Sequence, residues 1–207
     1  MALFCQDWVW FFIITDLPLY YKQVVGISVF QSGAYSTLPI FFAIVTKTAN
    51  GFLSDYLEKH SWSMKAIRRL TSSLGFFPTA FLLIAISYTK QGEVAQAVAL
   101  MTLCAGLRLN QVTFISSIFD LSPTYTGVLM GITNAIGVSA GIGAPLVTGL
   151  FTNHDPSWNK WQIVFFINAG FCVFGGLFYY VFVSADVQEW DPEYRNVNKD
   201  TKEPSEE

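Results

Sequence analysis

Long apolar stretches are the feature that most constrains the fold of this chain. A helix needs about 20 mostly apolar residues to cross a bilayer. Backbone groups in lipid must find hydrogen-bond partners within the protein, so stretches of this kind form helices or the strands of a closed barrel. These stretches lack strict apolar–polar alternation and are about twice as long as a barrel strand. The sequence therefore predicts an all-α membrane protein with six transmembrane helices, at residues 3–21, 34–54, 70–88, 94–117, 125–151 and 161–183.

The composition agrees with this class and excludes several others. Of the 207 residues, 52% are hydrophobic and only 13% are charged, whereas a soluble domain carries about a quarter charged residues. This balance excludes a disordered chain, a disulfide-rich secreted domain and a basic nucleic-acid-binding protein. The cysteines lie in apolar stretches without metal-ligand spacing, and neither a nucleophile elbow nor a phosphate-binding loop occurs. We therefore expect no enzyme activity, no cofactor and no metal site.

The charged residues divide the chain and predict its orientation. Residues 186–207 carry eight acids and three bases, whereas residues 1–185 carry seven acids and nine bases. We predict a six-helix transmembrane domain over 1–185 and an acidic, disordered cytoplasmic tail over 186–207. Basic residues favour cytoplasmic loops, and the loop after the second stretch contains Lys59, Lys65, Arg68 and Arg69. Both termini are therefore predicted to face the cytoplasm.

Ionisable residues inside a membrane span are costly, and each is a candidate functional residue. Lys47 lies roughly 12 Å into the hydrocarbon, and Arg108 lies in the middle of the fourth stretch. Each either attracts an anionic substrate or has a structural role, such as an ion pair or a side chain that extends to the interface. Asp7 is deeper than Asp16, with Gln6 beside it, and it is a candidate for proton coupling. We expect Asp16 to cap the helix or to form a pair at the interface.

The fifth stretch combines small residues with one amide. Two pairs with small-xxx-small spacing and a proline predict a helix that packs closely and can bend. These residues are Gly127, Gly131, Gly137, Gly141 and Pro145. Asn134 lies at the middle of the span, where an amide needs polar partners. It is therefore either a substrate contact or a structural hydrogen-bonding group.

Several motifs together resemble one family of membrane proteins. They are TDLPLYYK at 15–22, LP at 38–39, GFLSD at 51–55, FDLSPTYTGVLMGITNAIG at 119–137, WQ at 161–162 and QEW at 188–190. These motifs are similar to helices seven to twelve of the sodium–phosphate, sialic-acid and vesicular-glutamate transporters of the major facilitator superfamily. The chain thus resembles the C-terminal six-helix half of such a transporter.

The resemblance implies transport of small organic or inorganic anions by alternating access, coupled to a proton or a sodium ion. The candidate substrate residues are Gln6, Lys47, Arg108 and Asn134. The resemblance also implies a cytoplasmic conformational switch formed by Gly51, Asp55, Arg68 and Arg69. Three departures from the family are evident. Vesicular glutamate transporters carry arginine at the position of Gln6, many members carry histidine within the segment that here reads SIFD at 117–120, and Lys47 and Arg108 fall where members of the family carry uncharged residues.

Three functional alternatives remain open at this point. A half-transporter needs the N-terminal six-helix half or another protomer to complete its cavity. The chain can instead be a non-transporting membrane protein that associates with full-length relatives and modulates them, or a transporter that works as a homodimer. The plasma membrane and an endomembrane vesicle are both compatible with the sequence.

Overall fold

The computed structural model describes residues 1–89, 92–107, 110–153, 156–192 and 194. Within these ranges the regular secondary structure is entirely helical, as predicted. The helices are α1 (Ala2–Val25), α2 (Val29–Lys59), α3 (Met64–Ser87), α4 (Val94–Gly106), α5 (Asn110–Leu121), α6 (Thr126–Thr152) and α7 (Trp158–Phe182).

Four of the described helices are long and apolar enough to cross a membrane, namely α1, α3, α6 and α7. Helix α2 has 31 residues, but it contains many hydroxyl and amide side chains as well as Lys47. Helices α4 and α5 have 13 and 12 residues, and each is too short to span a bilayer alone. Residues 108–109, which lie between them, are outside the described ranges. The presence of six transmembrane helices therefore stays a prediction.

Helix α1 contains two π-helical turns, Phe12–Asp16 and Tyr21–Val25. The first lies just before Pro18, which has no N–H to donate to the preceding turn, and the wider turn accommodates this defect. The helix ends at Gly26, whose φ of 82° is left-handed and therefore favours glycine. Ser28 then begins α2 with a capping box, in which its side chain accepts from the backbone N–H of Gln31. The turn between the two helices is thus determined locally.

Helices α1, α3 and α7 form the centre of the molecule and meet at Gly175. A Cβ atom on this glycine would lie 2.7 Å from the Cβ of Cys5 on α1 and 3.0 Å from the ring of Phe76 on α3. Only a residue without a side chain permits this approach of three helices. At the other end of α7, the indole N–H of Trp161 donates to the Gln23 side chain at 3.1 Å, and the Gln162 amide donates to the Ser87 carbonyl at 2.9 Å.

Helix α6 packs on α1 through part of its glycine stripe, which consists of Gly127, Gly131, Gly137 and Gly141. Gly141 faces the ring of Phe11, and Gly137 faces the carboxylate of Asp7. Among the described residues, no heavy atom outside the neighbouring helix backbone lies within 4 Å of an ideal Cβ built on Gly127 or Gly131. The described part of the fold therefore brings the second half of the stripe into an interface and leaves the first half without close contact. Pro145 lies inside α6, as the sequence predicts.

The segment after α7 folds back onto the junction between α5 and α6. Asp191 is 1% exposed, and its carboxylate accepts hydrogen bonds from the hydroxyl groups of Ser122 and Thr124. The ring of Trp190 stacks on that of Tyr125, with 6.3 Å between centroids. This differs from the expectation that disorder begins at residue 186. Composition predicts how little apolar surface a tail can bury, but it does not show that two hydroxyl groups elsewhere in the fold bind one of its acids.

Candidate functional site

A cavity of about 210 Å³ lies between α1, α5 and α6. Its wall is mostly apolar and aromatic, with one carboxylate and one amide. The lining residues are Leu3, Asp7, Trp10, Phe11, Phe114, Ile115, Ile118, Met130, Asn134 and Val138. A concave, mostly apolar site with a few convergent polar groups is typical of a small-molecule binding site.

The two polar groups of this cavity are Asp7 on α1 and Asn134 on α6, both candidates from the sequence. Gly137, one turn beyond Asn134, faces the Oδ2 atom of Asp7. A side chain at position 137 would collide with this carboxylate. The glycine therefore makes room for the acid as well as for the packing of α6 on α1. This juxtaposition is an independent reason for glycine at position 137.

Lys47 lies next to one aromatic residue of the cavity wall. Its ammonium Nζ is 5.6 Å from the centroid of the Trp10 ring, a geometry that attracts a cation to the indole face. Trp10 itself lines the cavity, whereas Lys47 is not among the lining residues. Lys47 is half-buried and supplies positive charge near the cavity without lining it.

The other two predicted substrate residues have different positions. Gln6 is 2% exposed and is not part of the cavity lining, because it is one helical step from Asp7 and points in a different direction around α1. Arg108 lies outside the described residues. The structure thus brings together Asp7, Asn134 and, through Trp10, Lys47.

The predicted switch residues do not form a single cluster in this structure. The Nε of Arg68 donates to the Asp120 carboxylate on α5 at 3.0 Å, with side-chain exposures of 8% and 20%. Asp55 lies exposed near the end of α2. Outside the neighbouring backbone of α2, no atom of the described part of the chain lies within 4 Å of a Cβ built on Gly51. Arg69 stacks over the ring of Tyr180 at 4.9 Å. The structure therefore connects α3 to α5 through Arg68 rather than to the Asp55 carboxylate.

Asp120 and Trp10 are the two residues of this arrangement that sequence reasoning did not single out. Asp120 ends an apolar stretch and lies on the same predicted side of the membrane as the basic loop, so its charge was a usable signal. Trp10 gave no such signal, because aromatic residues make up 16% of the chain and only packing shows which of them face a cavity.

No family model matches the chain. Individual relatives, however, match nearly all of it. It is 32% identical over 194 residues to the mouse protein "Sodium-dependent phosphate transport protein 3", covering 93% of the chain and 40% of the relative. It is 30% identical over 194 residues to the human "Sodium-dependent phosphate transport protein 4", covering 93% of the chain and 46% of the relative. It is 31% identical over 203 residues to the zebrafish "Vesicular glutamate transporter 2.1", covering 96% of the chain and 34% of the relative.

The resemblance predicted from the motifs is therefore confirmed over almost the whole chain. The chain spans less than half the length of these relatives. The relatives are named as transporters and not as enzymes, which agrees with the expectation from the motifs.

Proposed function

We propose that this chain, a relative of phosphate and glutamate transporters, provides the C-terminal half of a transporter with the major facilitator fold. It moves small organic or inorganic anions by alternating access. The observation that supports this most directly is the cavity that combines Asp7 and Asn134, with Lys47 next to Trp10 of its wall. An N-terminal six-helix half, or another protomer, closes the open side of that cavity. The chain spans the plasma membrane or an endomembrane vesicle, with both ends in the cytoplasm.

Anion binding uses the positive charges and amides around this cavity. The Asn134 amide donates hydrogen bonds to an anionic oxygen from the wall. The ammonium of Lys47, next to the Trp10 indole, attracts the anion by its field. In this proposal Arg108 adds a second positive charge, and Gln6 contributes a second amide to the substrate site in another state of the transport cycle.

Coupling to a cation follows from the carboxylate of Asp7. Two like charges about 5 Å apart repel each other by about 3 kcal/mol at an effective dielectric constant of 20. A proton or a sodium ion bound to Asp7 removes that repulsion, so each ligand increases the affinity for the other. This reciprocity makes the transporter a symporter.

The conformational switch lies at the basic loop. The Arg68–Asp120 pair holds α3 and α5 together within this half, so these two helices move as a unit. Asp55 is exposed and therefore accessible to a basic group of the opposite half. In this proposal Gly51, Asp55 and Arg69 contact that half in one state and release it in the other.

Uptake into proteoliposomes tests the proposal. Radiolabelled phosphate and a labelled organic anion are measured for the chain alone and for the chain together with an N-terminal half of a relative. We expect Lys47→Met to raise KM about ten-fold, equal to about 1.4 kcal/mol. Exposed Lys22→Met, which removes the same charge outside the cavity, is the matched control.

Asp7→Asn separates binding from coupling. We expect it to abolish uptake driven by a proton or sodium gradient while anion exchange continues. The neutral amide lacks the negative charge that binds the proton or the sodium ion. Unchanged KM in Lys47→Met together with unchanged gradient dependence in Asp7→Asn would refute the assignment of this cavity.

A second candidate function is a non-transporting protein that associates with full-length relatives and modulates them. The observation in its favour is that the chain spans only 34–46% of its relatives. Co-expression with a full-length relative tests it. Reduced uptake by the relative, with co-purification of the two proteins and no uptake by the chain in any pairing, supports modulation over transport.

A further inference from the structure

A second cavity, of about 420 Å³, lies between the beginning of α3 and the end of α7. It shares no lining residue with the candidate transport cavity. Its lining contains two cationic side chains and three hydroxyl groups, and it contains no carboxylate. The residues are Ser63, Lys65, Ala66, Arg69, Leu70, Ser73 and Tyr180. This composition favours an anionic ligand.

Arg69 has spare hydrogen-bonding capacity in this cavity. The central carbon of its guanidinium lies 4.9 Å from the centroid of the Tyr180 ring, a cation–π contact that takes no hydrogen-bond acceptor. Its Nε atom is buried and has no hydrogen-bond acceptor within the described part of the chain. The adjacent Arg68 differs, because Asp120 neutralises it. The positive charge at this end of α3 therefore comes from Lys65 and Arg69.

An apolar surface continues from the cavity along both helices. On α3, Phe77 and Phe81 follow Arg69 and Ser73 at steps of four residues and are 37% and 71% exposed. On α7, Leu177 lies one turn before Tyr180 and is 53% exposed. Residues at steps of three and four lie on one helix face. The groove between α3 and α7 thus has a cationic, hydroxyl-rich end and an apolar remainder.

We infer that this groove binds an anionic phospholipid, with the lipid phosphate between Lys65 and Arg69 and an acyl chain along Phe77 and Leu177. Basic pockets between transmembrane helices on the cytoplasmic side bind phosphate-bearing headgroups, and the arginine guanidinium matches phosphate geometry. A free phosphate would satisfy the cationic end but would leave the apolar surface without a role. The inference depends on the membrane orientation proposed above and is independent of transport.

Lipid retention by the purified full chain tests the inference. Native mass spectrometry in detergent compares phosphatidylinositol 4-phosphate with phosphatidylcholine. We expect the anionic lipid to bind at least ten-fold more tightly. Since each basic residue near a membrane surface contributes a factor of about five to anionic-lipid binding, Arg69→Gln and Lys65→Gln should each weaken it about five-fold.

The control is Lys59→Gln, which removes one positive charge from the same loop outside the cavity lining and should change retention less than two-fold. An equal loss in Lys59→Gln, or equal retention of phosphatidylcholine, would overturn the inference. Displacement of the lipid by a 100-fold excess of inorganic phosphate would also overturn it, in favour of a free-anion site. Lys65 is exposed, so Lys65→Gln decides the question if Arg69→Gln fails to fold.

The transport variants separate this site from the proposed function. Asp7→Asn alters a residue that does not line the groove, so it should bind the anionic lipid with unchanged affinity. Loss of lipid binding in Lys65→Gln with normal anion uptake would likewise separate the two sites.

Discussion

The ion pair between Arg68 and Asp120 gives the sharpest energetic prediction from this structure. The atoms in contact are 3.0 Å apart, and the side chains are 8% and 20% exposed. Coulomb's law with an effective dielectric constant of 20 gives an attraction of about 5 kcal/mol at this distance. Removing both ions from water offsets much of it. We expect a net coupling free energy of about 2 kcal/mol, which is larger than the usual value for exposed pairs.

A double-mutant cycle measures this coupling. Asp120→Asn leaves a guanidinium buried without its partner and should lower the free energy of unfolding by about 3 kcal/mol. Arg68→Gln should cost a similar amount. The double variant leaves no unpaired charge and should lose only about 4 kcal/mol in total, because the two costs overlap. Unfolding of the purified chain in mixed detergent micelles, followed by tryptophan fluorescence, provides the free energies.

Asp55→Asn is the matched control for this cycle. It removes the same charge from an exposed position near the end of α2 and should change the free energy of unfolding by less than about 0.5 kcal/mol. Single-variant costs that add without overlap would refute the coupling. A cost for Asp55→Asn equal to that for Asp120→Asn would show that the loss of any acidic charge, and not the loss of the Arg68 partner, determines the effect.

Two further perturbations test the packing and the ordered end of the chain. Gly175→Ala should destabilise the chain by about 1–3 kcal/mol through overpacking against Cys5, because the new methyl group would lie 2.7 Å from a Cβ atom. A Cβ atom added at Gly170 in the same helix would have no described atom within 4 Å outside the neighbouring helix backbone. Gly170→Ala should therefore be neutral or slightly stabilising in thermal unfolding. Equal losses of stability in the two variants would contradict this explanation. Asp191→Ala removes an acceptor shared by two hydroxyl groups and should increase amide hydrogen exchange at residues 122–126 several-fold without lowering the midpoint of global unfolding by more than about 4 °C. Unchanged exchange there would show that the end of the chain does not hold the junction.

Much of the helical architecture was predictable because its causes are local. A span in lipid satisfies its backbone hydrogen bonds within itself, so a window of apolar residues suffices to locate a helix. The described helices overlap all six predicted stretches, although the number that cross the membrane stays a prediction. The turn at Gly26 and Ser28 is local as well, because left-handed backbone and a capping box involve residues at most a few positions apart.

The candidate site was predictable only residue by residue. Charge in an apolar span identified Asp7 and Lys47, and an amide in a glycine-rich span identified Asn134. The sequence did not show that Asp7 and Asn134 share one cavity or that Lys47 lies against Trp10 of its wall. Gln6 is polar, as Asp7 and Asn134 are, yet it does not line the cavity. One step along a helix changes the direction of a side chain by about 100°.

The sequence by itself thus determined the class of protein, the positions of the helices and the residues whose burial needs an explanation. The tertiary structure decided which of these residues meet: Arg68 meets Asp120, Asp7 meets Gly137, and Asp191 meets Ser122. Each pair joins helices or segments distant in the sequence, and its formation depends on the rotation and depth of both partners. Apolar periodicity determines a helix without reference to the rest of the chain, whereas a polar contact depends on the packing of the whole bundle.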